Sequence, residues 1–277
     1  MEVKLAKNYG FCFGVRRAIK LAESKPNSIT LGPLIHNAKE IERLRENFNV
    51  VVNENIKEVK PNQEVIIRTH GITKSDLEEL KKITPNITDA TCPFVTKPQE
   101  ICEKMSNEGY QIIIFGDAKH PEVKGVMSYC KNEPIVIDKL EALKGVKILD
   151  KVALISQTTK NVEIFLKIAD FLIPQCSECR VFNTICNATF DNQDSARSLA
   201  KEVDVMVIVG GKNSANTKQL YNISKEFCED CYLIEEAQEL EESWFLGKKI
   251  CGVSAGASTP NWIIDKVVER LKSFNDS

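Results

Sequence analysis

Short unbroken apolar runs alternate along this chain with stretches in which apolar residues return every three or four positions. "QIIIF" (111–115), "VALIS" (152–156) and "VMVIV" (205–209) are too short for helices and have no polar face, the pattern of strands covered on both sides. Behind Cys12, residues Val15, Ala18, Ile19 and Ala22 fall at i, i+3, i+4 and i+7 and predict a helix with one apolar face. A further helix is expected to begin near Ser75, which stands three residues before Glu78 as in a capping box. Strands and helices alternating in this way predict an α/β fold with parallel sheets.

The alternation recurs in register. Gly116 follows Cys92 by 24 residues, Gly210 follows Cys186 by the same 24, and each interval reads loop, helix, strand, glycine. Four residues beyond these glycines stand His120 and Ser214, and two further on stand Glu122 and Asn216. The N-terminal section follows the plan with a shorter helix: Cys12, then Gly32, then His36 four positions beyond it. Each copy also has a later strand that runs into a small polar loop: "IIRTHG" with His70, "LISQTT" with Thr158 and "GVSAGAS" with Ser258. The expectation is three pseudo-repeated small α/β domains over residues 1–91, 92–185 and 186–277, the last closing with a C-terminal helix. Ligands bind at the C-terminal edge of parallel strands, so the three cysteines are expected to meet near a pseudo-threefold axis beside a polar cleft.

Charge narrows the function classes. Lys and Arg number 37 against 39 Asp and Glu, a formal charge of −2, so no basic field points to nucleic acid. "MEVKLAKNYG" has no signal-peptide core and no apolar run approaches the ~18 residues of a membrane span, which leads us to expect a cytosolic protein without a membrane partner. Ten cysteines in a reducing compartment are expected to be thiols or metal ligands, with disulfides disfavoured.

Three converging thiolates can hold three irons of a cubane cluster and leave the fourth open, or hold zinc with an open position. A competing pattern is the pair of C-x-x-C motifs, "CSEC" (Cys176, Cys179) and "CEDC" (Cys228, Cys231), which together could close a structural zinc site in a non-catalytic binding module. Cys102 and Cys251 read as buried packing residues, and Cys130 has no evident role. The chain has only three histidines, His36, His70 and His120, and all fall in loops after strands. With Ser214, Asn216 and Ser258 they make a donor set suited to a diphosphate, beside which histidine should favour its charged form. No Walker loop and no G-x-G-x-x-G fingerprint is present, so nucleotide cofactors are not indicated. Glu122, in "HPEVKG", is the acid of this set and the natural proton donor.

Taken in order, "GFCFGVRRAI", "IHN", "THG", "DATCPFVTK", "HPEVKG", "SQTT", "TICNAT", "KNSAN" and "AGAS" resemble the 4-hydroxy-3-methylbut-2-enyl diphosphate reductase family, over residues 4 to about 270. The resemblance implies an iron-sulfur enzyme of the non-mevalonate isoprenoid route, with three α/β domains around a central cluster. By that resemblance Cys12, Cys92 and Cys186 would bind one 4Fe-4S cluster, whose open iron takes the allylic hydroxyl. His36, His70, His120, Ser214, Asn216 and Ser258 would bind the diphosphate, Thr158 and Glu122 would contact the hydroxyl end, and Glu122 would deliver the proton. The products would be isopentenyl and dimethylallyl diphosphates, with reduced ferredoxin or flavodoxin as electron donor. The chain departs from the family pattern at Ala215, where a serine is more typical, at Asn187, where tyrosine is common, and at Pro98, which should kink a helix. A redox-inactive iron-sulfur dehydratase would share much of this pattern and differ in needing no external electrons.

Overall fold

Helical and extended segments alternate as the apolar pattern predicts in a computed structural model that describes residues 1–274. The chain opens with β1 (Glu2–Leu5) and α1 (Phe13–Glu23), and the predicted apolar face of α1 is buried at Val15, Ala18, Ile19 and Ala22. There follow β2 (Ile29–Leu31), α2 (Ala38–Phe48), β3 (Val51–Asn53), β4 (Val65–Ile67), α3 (Lys74–Ile83) and β5 (Ile87–Asp89). The middle of the chain supplies α4 (Pro93–Asn107), β6 (Gln111–Phe115), α5 (Pro121–Met127), β7 (Ile135–Ile137), β8 (Lys151–Ser156), α6 (Val162–Leu172) and β9 (Glu178–Val181). The last part adds α7 (Asn187–Ala200), β10 (Val205–Val209), α8 (Ala215–Lys225), β11 (Cys231–Ile234), β12 (Ile250–Ala255) and α9 (Asn261–Ser273).

The strands form three four-stranded sheets in which every pairing is parallel, with orders β3-β2-β4-β5, β7-β6-β8-β9 and β11-β10-β12-β1. The same order thus occurs three times, and in the third sheet the outermost place is taken by the chain's first strand. Glu2 to Leu5 lie opposite Ile250 to Val253, so β1 stands outside the sheet of the first repeat. A four-residue strand with no marked alternation carries no sign of a partner almost 250 residues away.

Strands between two helical layers must be apolar on both faces, and the burial follows that rule. Every residue of β10 is buried: Val205, Val207 and Val209 pack with Ile263, Ile264, Val267 and Leu271 of α9, while Met206 and Ile208 pack with Ala196 and Leu199 of α7 and Leu220 of α8. In the middle sheet Ile113, Phe115, Val152 and Leu154 face Phe165, Ile168 and Leu172 of α6, and Ile112, Ile114, Ala153 and Ile155 face Cys102 and Met105 of α4 with Val123 and Val126 of α5. Each such side chain contributes about 1.5–3 kcal/mol of burial, which makes these cores a rigid support for the loops at the strand ends.

By its contacts the chain divides into two compact units. One comprises Met1–Arg16, His36–Glu42 and the chain from Asn187 onward, and the other comprises Arg17–Ile35 and Arg43–Cys186. One local expectation needs correction. The cap of α3 is Thr73, whose hydroxyl accepts from Asp76 N–H at 3.1 Å, and Ser75 lies inside the first turn with its hydroxyl against that of Thr73. Helix α4 runs unbroken through Pro98, which is buried at its sixth position; the amide that proline lacks costs one intrahelical bond, which packing against the middle sheet offsets. Among the described residues no helix is long and apolar enough to cross a membrane.

Candidate active site

The three repeat cysteines sit in one recurring frame. Each immediately precedes a helix, Cys12 before α1, Cys92 before α4 and Cys186 before α7, and each is partly accessible. Each also donates its backbone N–H to the polar loop at the end of a strand: Cys12 to Ala257 O at 3.1 Å, Cys92 to Thr69 O at 3.0 Å and Cys186 to Thr158 O at 3.0 Å. The repeat glycines are equally regular. Gly32, Gly116 and Gly210 directly follow β2, β6 and β10, and extend each ladder by donating to Asn53 O, Ile137 O and Ile234 O, all at 2.8 Å. The spacing read from the sequence therefore marks equivalent backbone positions.

In the unit that holds Cys92 and Cys186, the expected site residues are linked in a chain of contacts. His70 follows Thr69, whose carbonyl holds Cys92, and the His70 and His120 rings meet edge to face with centroids 5.4 Å apart. His120 caps α5, its Nδ1 accepting from Glu122 N–H at 3.2 Å. An accepting Nδ1 leaves the ring's donor proton on Nε2. The Glu122 carboxylate is buried and takes two bonds from one residue: Thr158 N–H to Oε1 and Thr158 Oγ1 to Oε2, each at 2.7 Å. Burial pushes the carboxyl well above its ordinary 4.5, and the two Thr158 bonds pull it back only in part.

Residues not singled out in the sequence hold this frame. Arg17 donates to Thr91 O at 3.3 Å and Asp89 O at 3.1 Å, clamping the loop that leads to Cys92. The buried Gln157 accepts Asp117 N–H at 3.0 Å and so fixes the loop ahead of His120. Thr184 accepts Ser156 N–H at 2.8 Å, tying the segment before Cys186 to the end of β8. All three lie within stretches that carry the family resemblance, "GVRRAI", "SQTT" and "TICNAT", but nothing in those stretches marks these roles.

The other unit brings together Cys12, His36, Ser214, Asn216 and Ser258. Ser258 Oγ donates to His36 O at 3.2 Å, and the loop carrying it is the one that holds Cys12. Gly211 packs so closely on the same carbonyl that a Cβ there would lie 2.6 Å from His36 O. Ser214 caps α8 by accepting Thr217 N–H at 3.3 Å, whereas α2 is capped by Asn37, which accepts Glu40 N–H at 3.0 Å and leaves His36 one residue outside the helix. Asn216 is buried, and neither its Oδ1 nor its Nδ2 has a hydrogen-bond partner among the described residues. Two orphaned polar atoms at a helix start cost free energy unless a ligand completes them. Ala215 is the first residue of α8 and offers no side-chain donor beside Asn216.

The C-x-x-C pairs do not resemble a metal site. Cys176 and Cys179 pack against the core of the middle sheet, and Cys228 and Cys231 are buried in that of the third. Their sulfurs act as protonated donors, Cys176 to Leu172 O at 3.4 Å and Cys228 to Asp230 O at 3.5 Å, and burial pushes Cys179 to about 11 and Cys231 to about 12. Zinc ligation needs thiolates, which these environments disfavour. Cys102 and Cys251 are buried as expected.

The model of the LytB protein family matches residues 3–272. Proteins named 4-hydroxy-3-methylbut-2-enyl diphosphate reductase from Campylobacter concisus and Wolinella succinogenes are each 62% identical to the chain, covering 98% and 99% of it and 99% of their own lengths. One from Helicobacter pylori is 59% identical over 99% of this chain and all of its own. Among solved structures, an (E)-4-hydroxy-3-methyl-but-2-enyl diphosphate reductase, described as the terminal enzyme of the non-mevalonate pathway, superimposes with a TM-score of 0.71 at 43% identity, covering 99% of this chain and 100% of that one. The E-1-hydroxy-2-methyl-but-2-enyl-4-diphosphate reductase from Plasmodium falciparum gives 0.91 at 25% identity, over 98% of this chain and 88% of its own. With a family match over almost its whole length and named reductases at this identity, the chain belongs to the LytB family and is an oxidoreductase.

Proposed function

We propose that this chain removes the allylic hydroxyl of 4-hydroxy-3-methylbut-2-enyl diphosphate reductively, giving isopentenyl and dimethylallyl diphosphates. The overall change takes up two electrons and two protons and releases water. The observation that carries the reading is the Glu122–Thr158 pair, a buried carboxyl shifted toward its protonated form and aimed at a hydroxyl-bearing loop residue. That is what protonating a departing hydroxyl requires.

Cys12, Cys92 and Cys186 would be the ligands of a 4Fe-4S cluster. The donor set fits it: three partly accessible thiols, each on the same strand-end frame before a helix, and no fourth member of the repeat to close the coordination. When bound, the cluster would supply electrons and a Lewis-acidic iron for the hydroxyl oxygen. The electrons would come from a small reduced carrier, ferredoxin or flavodoxin.

The rest is done by the chain's own side chains. His36, His70, His120, Ser214, Asn216 and Ser258 would hold the diphosphate, with His120 donating from Nε2 and Asn216 completing its unpartnered amide on phosphate oxygens. Thr158 would orient the hydroxyl end. Glu122 Oε2 accepts the Thr158 hydroxyl; on reversal of that bond a protonated Glu122 would pass its proton to Thr158 Oγ1 while the threonine hydroxyl hands its own forward, which would deliver a proton without exposing the carboxyl to water. The test is a turnover assay on protein purified without oxygen, with the diphosphate substrate and a reduced one-electron donor. Formation of both isomeric diphosphates with donor oxidation supports the reading; cluster-replete protein that consumes no substrate would overturn it.

A further inference from the structure

The cysteines outside the proposed ligand set are not equivalent. Cys102 lies in the middle of α4 with no solvent exposure, and Cys130 lies just past the end of α5, half-buried, both against the apolar cluster that includes Met105, Tyr110, Ile114 and Val126. Their thiols lie close enough to shift one another's titration. The backbone fixes this approach. Ser106, one turn beyond Cys102 on α4, accepts Lys131 N–H at Oγ at 2.9 Å, while Cys130 N–H closes a turn on Met127 O at 3.0 Å. The stretch after α5 is thereby pinned to the face of α4 that carries Cys102. Cys130 is partly accessible and the neighbouring Cys102 thiol lowers it, whereas Cys102 is fully buried and is raised by the Cys130 thiol and by burial. The outer sulfur is therefore the nucleophile, with a proton-bearing sulfur directly behind it.

We propose that Cys102 and Cys130 form a reactive dithiol that exchanges with low-molecular-weight disulfides, Cys130 attacking and Cys102 resolving. With glutathione disulfide, the Cys130 sulfur attacks one sulfur and a glutathione thiolate leaves. Cys102, its proton passing to that thiolate, then displaces the second glutathione and closes a Cys102–Cys130 disulfide. Two electrons pass from the protein to the glutathione disulfide, which ends as two thiols. The new bond would join the middle of α4 to the turn after α5, the two helices whose first turns follow Cys92 and contain Glu122.

The experiment exposes the cluster-loaded protein, without oxygen, to glutathione buffers of rising oxidised fraction, then denatures, alkylates and maps the cysteines by mass spectrometry. Cys102 and Cys130 should lose alkylation together and appear as one linked peptide pair. Cys102→Ala should stop at a glutathione adduct on Cys130, and Cys130→Ser should leave Cys102 alkylatable. Should Cys102→Ala not fold, timed trapping of the unaltered protein decides the order, because the transient adduct is expected on Cys130 and not on Cys102. The proposal is overturned if both cysteines stay alkylatable while Cys176 and Cys179 oxidise, or if Cys102 oxidises equally well in Cys130→Ser. None of these readouts depends on turnover, so they separate this proposal from the reductase reading.

Discussion

Replacing Glu122 by Gln should make the protein more stable and nearly inactive at the same time. The change keeps the side-chain shape, and the amide can still accept Thr158 N–H and donate to Thr158 Oγ1, so the 2.7 Å contacts survive. What disappears is the ionisable proton. In the unfolded chain the carboxyl titrates near its ordinary 4.5, whereas burial raises it in the folded protein. Between those two values the unfolded state has released a proton that the folded state retains. Stability from this group is thus fully present below 4.5 and falls by about 1.4 kcal/mol per pH unit as pH rises, until the folded value is passed. Glutamine has no such slope. The variant's Tm advantage should therefore widen with pH by roughly 3–6 °C per unit for a chain of this size, while kcat drops by about 10²–10⁴, or about 3–5 kcal/mol in the barrier. Differential scanning fluorimetry across a pH series gives the first quantity and the turnover assay the second. A difference in Tm that does not change with pH would refute the claim that Glu122 is held protonated by burial, and retained turnover would refute its role as acid.

Three further outcomes are expected. Thr158→Val removes the hydroxyl between Glu122 and the loop but keeps the backbone bond, so it should cost about 1–3 kcal/mol in thermal unfolding and lower kcat more than it raises KM. Asn216→Ala deletes two buried polar atoms that have no partner among the described residues; stability should hold or rise while KM for the diphosphate increases. Gly211→Ala would drive a methyl to 2.6 Å from His36 O, and the forced shift should destabilise the protein by about 1–3 kcal/mol and raise KM, both read from the same two assays.

The core of the fold was legible because it rests on local composition. "QIIIF" and "VMVIV" could only be buried strands, and each is followed by the glycine that extends its ladder to a neighbouring strand. The placement of β1 was not legible, since the pairing of Glu2–Leu5 with Ile250–Val253 is decided by chain path and not by any pattern in four residues. At the site, Cys92 and Cys186 stand the same 24 residues ahead of their glycines because equivalent backbone frames impose equal intervals, and Cys12 keeps the frame with a shorter helix. The bond from Thr158 to Glu122 joins residues 36 apart and appears only once β8 lies beside β6. Caps show the same limit: Ser75 fits the capping box in sequence, yet Thr73 reaches the free amide because the helix starts one residue after it. Gln157 and Thr184 act through loop backbone, and ordinary polar residues in loops carry no signal of that work.

The most direct test of the central claim is the iron and acid-labile sulfide content of protein purified without oxygen, measured for the unaltered chain and for Cys12→Ser, Cys92→Ser and Cys186→Ser. The account predicts iron and sulfide in near-equal amounts in the unaltered protein, and their loss or severe depletion in each single variant while the fold is retained. Full iron and sulfide in any one of the three variants would show that the cysteine in question is not a ligand and would contradict the account.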